Sequence, residues 1–149
     1  EFLMTYGFAI LAVLVSIGAL AYFGILSPGR FLPTSCTLAP GFACSEFKVD
    51  NVAGDDLTIK IRNSAGANVN SITFTVREVD QSSNCVDGGA ANPTSILNGQ
   101  EVTFAWDCPG VSASSTTGNK FKATLTFTYT KSNEVLPHTI TGSITTRIE

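Results

Sequence analysis

From Phe2 to Leu26 the chain runs through FLMTYGFAILAVLVSIGALAYFGIL without one charged side chain, and the run ends at Ser27, Pro28 and Gly29. At about 1.5 Å per residue a helix of this length approaches 40 Å, more than the roughly 30 Å of bilayer hydrocarbon. Its apolar residues lie on every side, so the whole cylinder must be buried, in lipid or among other helices. Exposing around twenty such side chains to water would cost tens of kcal/mol at about 1.5–3 kcal/mol each, which excludes a soluble free monomer. Arg30 to Glu149 are polar, turn-rich and strand-like, and offer no second apolar helix to sheathe the first.

The remainder of the chain is long enough for one domain with its own core. The chain of 149 residues carries a net charge of −3, and its nine Lys and Arg are scattered singly, so no basic patch points to nucleic acid. Its four cysteines, Cys36, Cys44, Cys85 and Cys108, come after an apolar N-terminal segment and indicate an oxidising, extracytoplasmic compartment with two disulfides. Four cysteines admit three pairings. The sequential one is the expectation, and spacing alone does not decide. No Lys or Arg precedes the apolar run to orient it, and Arg30 alone would place the domain in the cytoplasm, against the cysteines. A basic leader removed by a peptidase would reconcile the two.

The expected organisation is a polymerisation or transmembrane helix over residues 1–28, a connector over 29–46 holding Cys36 and Cys44, and a β-domain over 47–149. Pro28 and Gly29 should stop the helix. Phe47 to Val52, Leu57 to Arg62, Ser71 to Val79, Gln100 to Trp106, Lys120 to Thr130 and Thr139 to Ile148 alternate or are β-branched, as strands do. Leu57, Ile59 and Ile61 share a face. So do Ile72, Phe74 and Val76, then Val102, Phe104 and Trp106, then Phe121, Ala123, Leu125, Phe127 and Tyr129. Turn signals at Gly54 to Asp56, Gly66 to Asn68 and Gly88 to Pro93 separate them at the spacing of a sandwich. The fold class is therefore α+β: a long hydrophobic helix, then an all-β immunoglobulin-like sandwich.

Catalytic and metal constellations are weak. His138 is the sole histidine, between Pro137 and Thr139, with no nucleophile elbow or Gly-rich phosphate loop, so no enzyme and no cofactor are expected. The cysteine spacing lacks a CxxC pair, and Asp50, Asp55 and Asp56 lack the alternation of an EF-hand loop, so no metal is expected and a solvated turn explains the aspartates. Asp87 to Gly89 reads as a flexible loop. Ser112, Ser114, Ser115, Thr116 and Thr117 form either an ordinary polar loop or an O-glycosylated one, and no Asn-x-Ser/Thr sequon without proline is present.

Within the helix, Ala12, Ser16 and Ala19 recur on one face, and Gly7 and Gly18 leave further backbone open to close approach. Ordinary membrane-helix composition gives the same pattern. Phe2, Tyr6, Phe8, Tyr22 and Phe23 put aromatic bulk near both ends, as an interfacial belt would. The segment EFLMTYGFAILAVLVSIGALAYFGILSP, Glu1 to Pro28, resembles the N-terminus of archaeal type IV pilin-like proteins made with a class III signal peptide. The likeness covers the helix and touches the domain only in general character. It implies that a prepilin peptidase removes a basic leader, and that Glu1 matches the acidic position just before the apolar run. The family usually keeps a few small residues between the cleavage point and that Glu, and this chain has none.

The resemblance implies assembly through Glu1, Phe2 and the small residues, with Glu1 pairing the terminal amine of a neighbouring subunit. Without it, Glu1 is a carboxylate at a helix N-terminus. The implied protein is a major pilin of an extracellular adhesion filament, held in membrane lipid before assembly and partnered by its own copies and by pilus machinery. A monomeric membrane-anchored binding domain and an archaellin-like motility subunit are the alternatives, and a minor pilin would look the same.

Overall fold

A computed structural model describes residues 1–24, 33–51, 54–80, 83–89, 91–114 and 118–149, without the side chains of 112–114. It divides the chain into two compact units, Glu1–Leu32 and Pro33–Glu149. In the first, helix α1 spans Phe2–Tyr22, 21 residues, or about 31 Å at 1.5 Å per residue. It stops short of the expected Leu26. Gly24 takes a φ of 66° and donates its N–H to Ala21 O, a left-handed glycine exit that closes the helix before Pro28 is reached. Ile25 and Leu26 lie outside the described residues.

The second unit is an antiparallel sandwich. Its strands are β1 (Ser35–Thr37), β2 (Phe42–Val49), β3 (Leu57–Asn63), β4 (Val69–Glu78), β5 (Val86–Asp87), β6 (Glu101–Asp107), β7 (Lys120–Lys131) and β8 (His138–Arg147), with the short helix α2 (Pro109–Ser114) after β6. One sheet has the order β1-β8-β7-β4 and the other β2-β3-β6-β5. This is the immunoglobulin-type arrangement, with the first strand split between the two sheets at the Leu38 to Gly41 corner. The corner corrects the expected connector: residues 35–37 and 42–46 are sheet strands rather than a neck. Each finds its own partner, β1 on β8 and β2 on β3, so the chain is in the sandwich from Ser35, well before Phe47. Its expected Phe47 to Val52 strand instead ends at Val49.

The core obeys the alternation. Leu57, Ile59 and Ile61 of β3, Phe74 and Val76 of β4, Phe104 and Trp106 of β6, and Phe121 to Tyr129 of β7 at every second position point inward and are buried. The sheets meet through an aromatic cluster: the Phe74 ring lies 4.8 Å from Trp106 and 5.1 Å from both Phe104 and Phe127. Phe42 closes one end, 4.7 Å from Phe127 and 4.8 Å from Tyr129. Such aromatic pairs add about 0.5–1.5 kcal/mol each beyond area burial. Asn63, in phase with Leu57, Ile59 and Ile61, is buried too. Its Nδ2 donates to Ala67, Ile96 and Leu97 carbonyls and its Oδ1 accepts from Ala65 N–H, stapling the β3–β4 turn to the segment before β6.

β4 carries a bulge between Asn70 and Thr73, where Ser71 has a φ of 52°. A side chain in that region costs about 1–2 kcal/mol, and a β-branched one is worst. Ser71→Val is expected to lower stability by about 1–2 kcal/mol in chemical denaturation, with Ser71→Gly within about 1 kcal/mol of the parent.

Candidate functional site

No side chain of α1 is buried within the chain. Leu3 is 89% exposed, and Phe2, Phe8, Leu14 and Val15 all exceed 60%. It is the one helix among the described residues long and apolar enough to cross a membrane. Ala12, Ser16 and Ala19 fall within about a quarter of its circumference, whereas Gly7 and Gly18, eleven residues or about three turns apart, align on a separate line. Nothing lies within 4 Å of a Cβ built on either glycine. Ser16 is not a spare polar group, since its Oγ donates to Ala12 O at 2.7 Å. Glu1 is the N-cap residue, but its side chain makes no cap hydrogen bond. Its carbonyl accepts from Thr5 N–H and Oγ1 instead, at 3.2 and 3.1 Å.

The cysteines pair as Cys36–Cys44 and Cys85–Cys108. The first joins β1 to β2, edge strands of opposite sheets, directly after the chain enters the sandwich. The second ties the segment before β5 to the end of β6. Gly142 of β8 makes room for β1: a Cβ there would stand 2.1 Å from Thr37 O and 2.9 Å from Leu38 Cδ2.

Beside the second disulfide lie two buried carboxylates. Asp56, 1% exposed and just before β3, accepts Cys108 N–H on Oδ2 at 3.0 Å. Glu78, 3% exposed at the end of β4, accepts Gly110 N–H on Oε1 at 2.9 Å, with Cys85 Sγ 3.9 Å away. Burial pushes the Glu78 carboxyl above its ordinary value; the Gly110 N–H opposes this, and the charges of Asp56 and Asp80 add to it. Glu78, Cys85 and Cys108 make the one cluster of metal-ligating residue types among the described residues. Its two sulfurs are bonded to each other, so neither is a thiolate able to hold a soft metal.

Of Asp50, Asp55 and Asp56, read as a solvated turn, Asp56 is a correction, because its side chain is turned inward onto the Cys108 amide and sealed from water. Asp55 is exposed, and its Oδ1 accepts Gly89 N–H at 3.1 Å. The Asp87 to Gly89 run is also bonded rather than free: Asp87 is in β5, Gly88 N–H reaches Ala105 O and Gly89 N–H reaches Gly54 O.

His138 is half-buried where β8 starts, stacked 5.5 Å from Tyr129 and bonded to Glu134. That bond, with a smaller pull from the nearby Lys131, holds the Glu134 carboxyl below its ordinary value. Val135 and Leu136 protrude from the same hairpin, 94% and 75% exposed. On the outer face of the second sheet Lys60 bridges Glu46 at 2.6 Å, lowering the Glu46 carboxyl and raising the Lys60 amine. Of the proposed glycan acceptors, Ser115, Thr116 and Thr117 lie outside the described residues, as do the side chains of Ser112 and Ser114. No protein-family model, no curated protein and no solved structure matches this chain.

Proposed function

We propose that the chain is a non-enzymatic structural subunit, a major pilin, of an archaeal type IV-like extracellular pilus that serves surface adhesion. The observation that carries this reading is α1: a 21-residue apolar helix exposed on all sides, attached to a separate disulfide-bonded sandwich. Moving such a helix from lipid into a bundle of like helices changes its free energy little, because lipid tails are as apolar as Leu and close packing supplies the gain. Membrane lipid stores the subunit. Repeated contacts whose rotation does not close then give an open filament, with helices inside and sandwiches outside. The Gly7–Gly18 and Ala12–Ser16–Ala19 lines supply two distinct places for close helix approach. The Glu1 carboxylate, unused by its own helix, remains able to meet a neighbour's terminal amine.

A monomeric, membrane-anchored surface domain is the second reading, favoured by a helix length of about 31 Å that matches one bilayer span. Electron microscopy of material sheared from the native cell surface, with mass spectrometry of the filaments, separates the two. Thin filaments made of this chain support the pilin; a chain retained in the detergent-extracted membrane with no filament containing it supports the anchor. Glu1→Ala is expected to reduce filament yield severalfold while the sandwich unfolds at the parental denaturant concentration, and unchanged yield would remove the role given to Glu1.

A further inference from the structure

We propose that the outer face of the sheet β1-β8-β7-β4 is a docking surface for an acidic polysaccharide, whose hydroxyls meet rows of Thr and Ser and whose acid groups meet a basic cluster at one end. On β1, β7, β8 and the part of β4 beyond its bulge, every outward residue is Ser, Thr, Lys or Arg. The strand register sets the hydroxyls in rows: Thr73, Thr128 and Thr139 form one, and Thr75, Thr126 and Thr141 the next. Rows stand about 7 Å apart and neighbours within a row about 5 Å, so hydrogen-bonding groups are spread over a surface rather than gathered in a pocket. Thr128 Oγ1 and Thr139 Oγ1 bond to each other at 3.0 Å. One such bond uses a single O–H, leaving the pair a donor and several lone pairs for a ligand.

Threonine suits any solvated strand, so the hydroxyls alone carry nothing. The charges single this face out. A solvated surface ordinarily mixes both signs, and the chain as a whole is at −3, yet the outward charges here are all positive. Arg77 on β4, Lys120 and Lys122 on β7 and Arg147 on β8 gather at one end. Lys48, Lys60 and Lys131 each hold an acid, whereas Arg77, Lys120 and Lys122 make no ion pair among the described residues. A groove of about 400 Å³, lined by Arg77, Glu78, Val79, Thr124 and Thr126, joins the basic end to the hydroxyl rows. The Arg77 fork is shaped to take a carboxylate or sulfate by two bonds. Val79, 44% exposed, gives the C–H side of a sugar ring something apolar to lie on. Asp80 bounds the cluster, lining with Lys120 and Lys122 a separate cavity of about 260 Å³.

Other polyanions fit the face less well. It presents no aromatic side chain on which nucleic-acid bases could stack, and its cations form a cluster rather than a track for a phosphate backbone. An anionic bilayer would be met by a broad apolar face beside the cations, where this surface has hydroxyls. The inference does not depend on α1, and a filament subunit or an anchored domain would carry the same surface.

The test is calorimetric titration of the full chain in neutral-detergent micelles with dextran sulfate and carboxymethyl dextran. Unmodified dextran lacks the charge and inorganic polyphosphate lacks the sugar, so each control removes one half of the contact. The acidic dextrans are expected to bind, less tightly as salt rises, and both controls about tenfold more weakly or not at all. Arg77→Gln and Lys122→Gln should each weaken binding about two- to fivefold. The double variant Thr75→Val/Thr126→Val keeps the β-branched shape and should lose about two- to tenfold, with an unfolding midpoint at the parental value. Lys48→Gln, the same loss of charge from the other sheet, should bind as the parent does. Failure of both acidic dextrans to bind, either control binding as tightly as they do, or equal losses in Lys48→Gln and Lys122→Gln would overturn the surface and leave the reading of α1 standing.

Discussion

Trp106→Ala is expected to remove about 3–5 kcal/mol from the stability of the sandwich, the cost of deleting a large buried aromatic and leaving a cavity behind. A domain of this size holds about 5–15 kcal/mol in all, so the variant sits at the edge of folding. Trp106 is 1% exposed, stands edge-on to Phe74 and stacks with Phe104 at 5.9 Å. Within its own sheet it pairs with Leu57 of β3 and Asp87 of β5, so it touches both sheets from the middle of one. Nothing small can replace those contacts, because the facing rings are fixed by their own strands. Trp106→Phe should keep most of the packing and lose about 1–2 kcal/mol. Urea unfolding monitored by circular dichroism measures both, and a loss below about 1.5 kcal/mol for the alanine variant would mean that the cluster repacks.

Gly142→Ala should cost about 1–3 kcal/mol, near the upper end, although it adds one methyl to a strand. The neighbour that a Cβ would strike is the backbone of Thr37 rather than the tip of a flexible side chain. β1 would have to retreat, and it has only Ser35, Cys36 and Thr37 paired with β8. Cys36 is also bonded to Cys44, which limits how far it can move. The variant should therefore show amide exchange accelerated at Ser35 to Thr37 as well as a lower denaturation midpoint. Gly89→Ala, where a Cβ meets nothing within 4 Å, is the matched control and should stay within about 0.5 kcal/mol. Equal effects at the two glycines would refute the steric account.

The long strands were legible because their inward residues repeat every second position without interruption, as in Phe121, Ala123, Leu125, Phe127 and Tyr129. β1 and β5 were not, since three and two residues give no period, and Pro33 and Pro40 beside β1 suggest a connector. Only the finished sheets supply their partners. α2 was equally hidden, being a single turn held by contacts distant in sequence. The buried polar side chains show a different limit. Glu78 continues the inward parity of Ile72, Phe74 and Val76, and Asn63 that of Leu57, Ile59 and Ile61, so period two alone marks both as interior. Their polarity argues for a strand end in water, and the backbone groups that make burial tolerable come largely from residues far along the chain. Asp56 had no such parity to mark it.

In a filament, or on a crowded membrane, each sandwich would spend its life pressed against identical copies, where any open strand invites a neighbour's backbone to add on. Here the four outer strands offer little to add to. β1 is three residues long and β5 two. β4 is bridged along its outer side at Val69 by Ile96 and at Arg77 by Asn84. β2 is broken by a bulge between Cys44 and Glu46 and carries Glu46 and Lys48. Copies of this domain can therefore lie flank to flank at very high local density and still come apart as separate folds.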